Sequence, residues 1–374
     1  MRLKRKKPKS RKIILKTSVK RPDLVLTGLT LGLTIIGVIM VGNASVVEAF
    51  RDFGDKYHYL KLQIQWAGLG GIAFVLASIF NYRRLEKMAP VLMFVSLVLL
   101  IIVLLPGVGT QILGARRWIS LGSFNVQPAE ITKLAFVLYL AAFLAKKQKT
   151  LPFLILSGLI IGLIMMEPDL GTTVVIITSG LVVYFASGAS LITLLGFLIL
   201  GLLGGLGLIL SSPYRKGRLL TFFNPGRDPL GESYHIRQVL LALGSGGLWG
   251  LGLGQSRQKY EYLPAVMSDS IFAVIAEELG FIGGALILLA FLLIVWRGLK
   301  IGLGAPDRFG QLLAVGITAW ISLQALINLA AMVALIPFTG IPLPFISYGG
   351  SSLVVALAGM GILVNISKYR VVKR

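Results

Sequence analysis

The chain has 374 residues, 56% of them hydrophobic, with a mean hydropathy of +0.84 and a formal net charge of +22. That is too apolar for a soluble core of this size and defines a polytopic membrane protein. The absence of cysteine excludes a disulfide framework and a thiolate metal site. The charge does not read as a nucleic-acid surface, because eleven of the 37 cations precede Asp23 and thirteen more fall in short links between apolar runs or in the C-terminal tail, as in segments that stay on the cytoplasmic side of a membrane.

Residues 1–22 form a basic cytoplasmic tail, residues 23–367 a ten-span membrane domain, and residues 368–374 a second basic tail. A span needs roughly twenty apolar residues. The first, 24–47, is longer than the core of a cleaved signal peptide and is read as a retained helix. A short outer loop around 53–59 leads to a second span at 62–80. The basic link NYRRLEKM, with Arg83, Arg84 and Lys87, leads to a third at 89–105. The outer loop GVGTQILGARRWISLGSFNVQPAE precedes a fourth span at 129–145. The fifth (151–166) and sixth (170–186) flank EPDLGT, and the seventh (191–210) carries Gly201 and Gly205 as a helix-packing face. After the large loop at 211–270 come an eighth span at 271–296, a ninth reaching about residue 334, and a tenth ending at KYRVVKR. The tenth is entered through IPFTGIPLPFISYGGSS, where Pro337, Pro342, Pro344, Gly349 and Gly350 predict a re-entrant segment buried against protein. Parity through ten spans places both termini in the cytoplasm and loop 211–270 outside. The fold class is therefore an all-α polytopic membrane protein with ten transmembrane helices and one large extracytoplasmic loop between the seventh and eighth.

That loop holds seven cations against four acids, and it ends in Asp269, a composition suited to an anionic ligand held beside a carboxylate. Its segment GESYHIRQVLLAL predicts a helix in the membrane interface, with Ile236, Val239, Leu240 and Leu243 on the apolar stripe. His235 and His58 share no metal-ligand spacing and receive no role. GSGGLWGLGLGQ follows no strand, so it reads as a tight loop rather than a nucleotide fingerprint. Arg215 and Arg218 of YRKGR, with Arg116 and Arg117 of the other outer loop, are the anion-binding candidates. Glu130 and Lys133 lie one turn apart near the outer surface, where a structural pair and a functional one fit equally. Glu167 and Asp169 flank Pro168 at a helix end and suit capping. Glu277 and Glu278 fall about two turns into the eighth span, so at least one must face a polar cavity. Asp269 fits two roles by its spacing, an N-cap for the helix that follows and a catalytic base.

The run PYRKGRLLTFFNPGRDPLGESYHIRQVLLALGSGGLWGLGLGQSRQKYEYLP, then SDSIFAVIAEELGF, together with GARRWISLGSFNVQPAEITK, EPDLGT and IPLPFISYGGSS, resembles the SEDS family (shape, elongation, division and sporulation). NPGRDP and GQSRQKYEYLP look more like its FtsW branch than RodA or SpoVE. The resemblance covers the chain from about Asp23 onward. It implies a glycosyltransferase of the bacterial cytoplasmic membrane that polymerises lipid II into glycan strands with a class B penicillin-binding protein and other divisome or elongasome proteins. It implies that Asp269 is the essential loop aspartate, and that Glu130, Lys133, Arg116, Arg117, Arg215 and Arg218 are functional positions, with Ser347, Gly349 and Gly350 completing the substrate-binding set. Many relatives read LPE-x-H-T-D where this chain has Ala265 and Met267, so any auxiliary Glu or His there is absent.

Such a polymerase needs a base for the acceptor hydroxyl, for which Asp269 is the candidate, and positive charge for the leaving pyrophosphate, from the arginines or from a divalent cation such as Mg or Mn. Arginines nearby are expected to lower the carboxyl pKa, which would keep Asp269 ionised but weaken it as a base. A lipid II flippase and a non-catalytic divisome scaffold are the alternatives. No internal inverted repeat of the kind many transporters carry is evident.

Overall fold

A computed structural model describes residues 21–112, 115–122, 124–146, 149–224, 233–260 and 262–369. The helices are α1 (Leu24–Ala44), α2 (Val46–Phe53), α3 (His58–Ile79), α4 (Tyr82–Leu104), α5 (Pro128–Lys146), α6 (Thr150–Met166), α7 (Leu170–Ala186), α8 (Leu191–Leu210), α9 (Pro213–Phe223), α10 (Tyr234–Ser245), α11 (Ile271–Gly304), α12 (Arg308–Met332) and α13 (Gly350–Ser367). Eight of these, α1, α3, α4, α5, α8, α11, α12 and α13, are long and apolar enough to cross a membrane. The shorter apolar helices α6 and α7 occupy the positions of the fifth and sixth expected spans. At about 1.5 Å per residue, their 17 residues extend about 25 Å, just under the hydrocarbon thickness. The protein is a multi-pass, predominantly helical membrane protein.

Several boundaries differ from the apolar runs. The basic link NYRRLEKM is helical, because the Asn81 side chain accepts from the Arg83 amide (3.1 Å) and starts α4 at Tyr82. Likewise α11 continues past Trp296 through Arg297 and Lys300 to Gly304. Charged residues at a membrane edge end the hydrophobic run without ending the helix. The expected short outer loop contains α2, closed by Gly54 in the left-handed conformation (φ 68°).

The loop after α4 is an antiparallel sheet of β1 (Gly109–Ile112), β2 (Ala115–Leu121) and β3 (Phe124–Val126), in the order β1-β2-β3. Trp118 and Ile119 in β2, with Phe124 and Val126 in β3, are the aromatic and β-branched residues that a pleated, half-buried surface favours. Gly109 is required there, since a Cβ would lie 2.0 Å from the Val103 carbonyl oxygen.

Packing is uneven. α5, α12 and α13 are largely buried, whereas no residue of α8 is. Residues 333–349 form the expected re-entrant segment, with Ile341, Leu343, Phe345, Ile346 and Ser347 buried. Its carbonyls are served by polar side chains of α12: Asn328 Nδ2 donates to Ile341 O (2.8 Å) and Gln324 Nε2 to Pro342 O (3.0 Å). α1 lies directly on it, because a Cβ on Gly37 would stand 2.4 Å from the Phe345 carbonyl oxygen. Irregular backbone at membrane depth is tolerated only with such internal partners.

Candidate active site

Residues 264–270 carry Asp269 into the top of α11. Ala265 has a left-handed φ of 51°, and its carbonyl accepts from the Ser268 and Ser270 amides (3.1 and 3.2 Å). A non-glycine residue in that conformation costs on the order of 1–3 kcal/mol and persists only where its surroundings over-determine it. Here three consecutive carbonyls are held by separate donors: Met267 O by the Tyr348 amide (2.8 Å), Ser268 O by Ser347 Oγ (2.6 Å) and Asp269 O by Asn328 Nδ2 (2.9 Å). Ser347 Oγ in turn accepts from the Leu343 amide (2.8 Å). The hydroxyl expected among substrate contacts is thus buried behind the aspartate, fastening its backbone to the re-entrant segment.

The capping role for Asp269 does not hold. Ser270 is the N-cap of α11 and makes no side-chain cap bond. Among the described residues no donor bonds the Asp269 carboxylate, which is half-buried beneath Gly340, where an added Cβ would lie 3.4 Å from Oδ2. Burial pushes its pKa up to about 6, against the lowering charge of Arg218; Asp169 raises it further and Arg117 lowers it. The expectation of a depressed pKa is therefore corrected: desolvation outweighs both guanidiniums.

Around this carboxylate the four candidate arginines separate. Arg218, on α9, donates to Phe338 O (3.2 Å), lies 5.7 Å from the Phe338 ring centroid, and its charge reaches Asp269. Arg117, on β2, clamps the α6–α7 turn through Glu167 O (2.7 Å) and Pro168 O (2.8 Å). Arg116 follows the other face of the strand, where it pairs in register with Gln111. Arg215 turns away to the Leu208 carbonyl (3.0 Å), closing the end of α8. In the clamped turn, Asp169 caps α7 through the Thr172 amide (2.9 Å) and hydroxyl (2.8 Å), as its position suggested. Glu167 instead is fully buried, with neither carboxylate oxygen bonded among the described residues, and burial followed by the Asp169 charge pushes its pKa up to about 8.

His235, given no role from sequence, belongs to the site wall. Its Nε2 lies 2.7 Å from Ser270 Oγ, and its ring centroid is 4.0 Å from that of Phe338. Because Ser270 Oγ donates to Pro264 O (3.0 Å), Nε2 is the proton-bearing nitrogen. Burial, with the Arg218 charge second, lowers its pKa to about 4, so the ring is neutral. Spacing gave no signal for this residue, whose partners are 35 and 103 positions away. Its helix, α10, buries Ile236, Val239 and Ala242, while Leu240 of the expected stripe is exposed.

Glu130 and Lys133 do pair (2.8 Å) in the first two turns of α5, with both side chains almost wholly buried against neighbouring helices. Lys133 Nζ also donates to Gln324 Oε1 (2.7 Å), so the pair supports the residue that holds Pro342. Gly350 is a packing position, since a Cβ would collide with the Trp66 indole at 2.0 Å, and Gly349 is the N-cap of α13. Both Glu277 and Glu278 are buried and take backbone donors from the loop after α10, Arg257 N (3.1 Å) and Ser256 N (3.2 Å). Arg227, Asp228, Glu232 and Glu261 lie outside the described residues. Among the described residues no three His, Cys, Asp or Glu side chains cluster to hold a metal.

A multi-pass bundle with a re-entrant segment folded over one clamped aspartate is the arrangement these residues build. The chain belongs to the FtsW/RodA/SpoVE family, whose profile, described as a cell cycle protein, matches residues 24–371. It is 45% identical over 361 residues to the stage V sporulation protein E of Bacillus subtilis (strain 168), covering 94% of this chain and 99% of that one. It is 40% identical over 353 residues to a probable peptidoglycan glycosyltransferase FtsW of Trichlorobacter lovleyi, covering 92% and 93%. Its FtsW-like motifs thus sit in a chain that also aligns with a sporulation-stage relative at higher identity. Among solved structures it superposes on a chain from work on structural coordination of polymerization and crosslinking by a peptidoglycan synthase complex, with a TM-score of 0.76, 30% identity and coverage of 93% and 98%. It also superposes on the rod shape determining protein RodA of Thermus thermophilus, with a TM-score of 0.68, 29% identity and coverage of 94% and 98%.

Proposed function

We propose that this protein is a peptidoglycan glycosyltransferase that polymerises lipid II into β-1,4 glycan strands, with Asp269 as the general base. The observation that carries the assignment of the base is a carboxylate held by its backbone yet left without a side-chain donor among the described residues, with a pKa pushed to about 6. At neutral pH it is mostly ionised, and it is a stronger base than an ordinary aspartate. In the proposed step the acceptor 4-hydroxyl oxygen attacks C1 of the donor sugar. Its proton passes to Asp269, the bond from C1 to the pyrophosphate oxygen breaks, and the lipid pyrophosphate leaves with the electron pair, inverting C1. Arg218 is the cation placed to meet the charge that develops on that leaving group. Neutral His235, bonded through Ser270 to the start of α11, acts as a positioning residue.

The similarity to a chain of a peptidoglycan synthase complex supports a transpeptidase partner, a class B penicillin-binding protein. The basic termini and links support a bacterial cytoplasmic membrane location with both ends in the cytoplasm and Asp269 on the outer face. Purified protein with purified lipid II, with and without the transpeptidase, tests the activity: glycan strands are the expected product. Translocation of lipid II across vesicles without polymer would instead establish a flippase.

A further inference from the structure

α11 counts 34 residues in two helical pieces that meet at Gly280, more than the roughly twenty that a hydrocarbon core of about 30 Å needs. Its neighbour α1, with 21 residues and about 31 Å, matches that core and acts as a gauge. At one end of α1, Asp23 pairs with Arg297 of α11 (3.4 Å). At the other, Asn43 bonds Glu278 of α11 through Nδ2 and accepts from Lys259 Nζ (2.8 Å). The two membrane boundaries therefore cross α11 near Arg297 and near Glu278. The turns from Ile271 to Leu279, which begin beside Asp269, stand beyond the boundary.

The helix breaks at that level. Gly280 adopts φ 68° and ψ −168°, which frees main-chain groups on both sides of it. Residues 247–252 take them up: the Leu251 and Gly252 amides donate to the Glu277 and Glu278 carbonyls (3.0 Å each), while the Phe281 and Ile282 amides donate to Gly247 O (2.8 Å) and Leu248 O (3.2 Å). The fit leaves no room for a side chain at Gly250, where a Cβ would lie 2.1 Å from the Glu278 carbonyl oxygen. A loop with its backbone satisfied in this way can sit at a membrane surface. Yet it presents large apolar side chains outward: Trp249 is 80% exposed, Leu248 64% and Leu253 63%, continuous with Phe281 at 69% on α11.

We propose that residues 247–254 are a membrane anchor that inserts into the lipid leaflet on the Asp269 side and sets the height of Asp269 above it. The occupant of the apolar tip is lipid because the tip lies at the level given by α1 and continues the exposed apolar face of α11; tryptophan is the residue type enriched at that depth. This inference stands on the Asn43, Glu278 and Gly280 geometry and does not depend on the polymerase reading.

The chain has no cysteine, so single labels are clean. Nitroxides are attached to Trp249→Cys, Leu253→Cys and, as a control on the water side, Arg257→Cys, in full-length protein reconstituted in phosphatidylglycerol-containing vesicles. Collision with oxygen, which concentrates in lipid, is compared with collision with a water-soluble nickel chelate. At 249 and 253 oxygen should dominate, and at 257 the chelate. Chelate-dominated collision at 249 and 253 would overturn the anchor, as would exclusion of both reagents, which marks a surface covered by protein. Leu248→Cys repeats the measurement on the same tip should either loop variant fail to reconstitute.

Discussion

Glu130 and Asp269 are both carboxylates in the first turn or at the mouth of a helix in the same bundle, and the fold treats them in opposite ways. Glu130 is buried with a partner: Lys133 lies 2.8 Å away and is tied in turn to Gln324. Asp269 is half-buried with its backbone fastened by Asn328 and its neighbours by Ser347 and Tyr348, yet its carboxylate has no donor among the described residues. A carboxylate neutralised in the interior is a strut. One desolvated without a hydrogen-bond donor keeps the raised proton affinity that base chemistry uses.

The largest expected effect sharpens that contrast. Asp269→Asn keeps size and backbone bonds but removes the proton acceptor, so lipid II polymerisation by the purified protein should fall by roughly 10² to 10⁴, while its melting temperature stays at the wild-type value. Polymerisation within about threefold of wild type, far inside that range, would refute the base assignment.

Lys133→Met should do the reverse. It leaves Glu130 buried and unpaired at a cost of roughly 3–5 kcal/mol, visible as a loss of folded protein in detergent unfolding. The double variant with Glu130→Gln should recover part of that loss. A Lys133→Met protein that is as stable as wild type yet inactive would move the pair from scaffold into the reaction.

The two loop arginines come next. Removing charge-assisted contacts to a pyrophosphate costs about 1.5–3 kcal/mol, so Arg218→Ala should raise the apparent KM for lipid II by roughly ten- to a hundredfold. Arg215→Ala, which among the described residues releases the Leu208 carbonyl, should change stability by about 1 kcal/mol and leave KM alone. Equal KM effects would mean that both arginines touch the anion.

The smallest effect is a shift in a pH profile. Protonated Asp269 accepts no proton, so kcat/KM should fall as pH drops through about 6, the value to which burial raises the group. Arg218 lowers that pKa, so Arg218→Ala should move the acid limb to higher pH. An acid limb that stays in place in this variant would show that another group titrates.

Much of this protein was determined by local sequence. Apolar runs of membrane length, the basic links, Glu130 and Lys133 at helical spacing, and an aspartate at the end of a basic loop are all patterns within one element, and each is present in the fold, with helix ends that overrun the apolar runs where charged residues continue the helix. The details of the site were decided by tertiary structure. Nothing near Asp269 in sequence announces Asn328, Ser347 or Gly340, nor which of the loop arginines reaches it, and the sign of its pKa shift depended on how far desolvation outweighs the arginines. His235 carried no spacing signal because its partners, Ser270 and Phe338, are far along the chain. The Gly280 break was hidden inside an apolar run for the same reason: a helix interrupts itself there only because a distant loop supplies the hydrogen bonds it gives up.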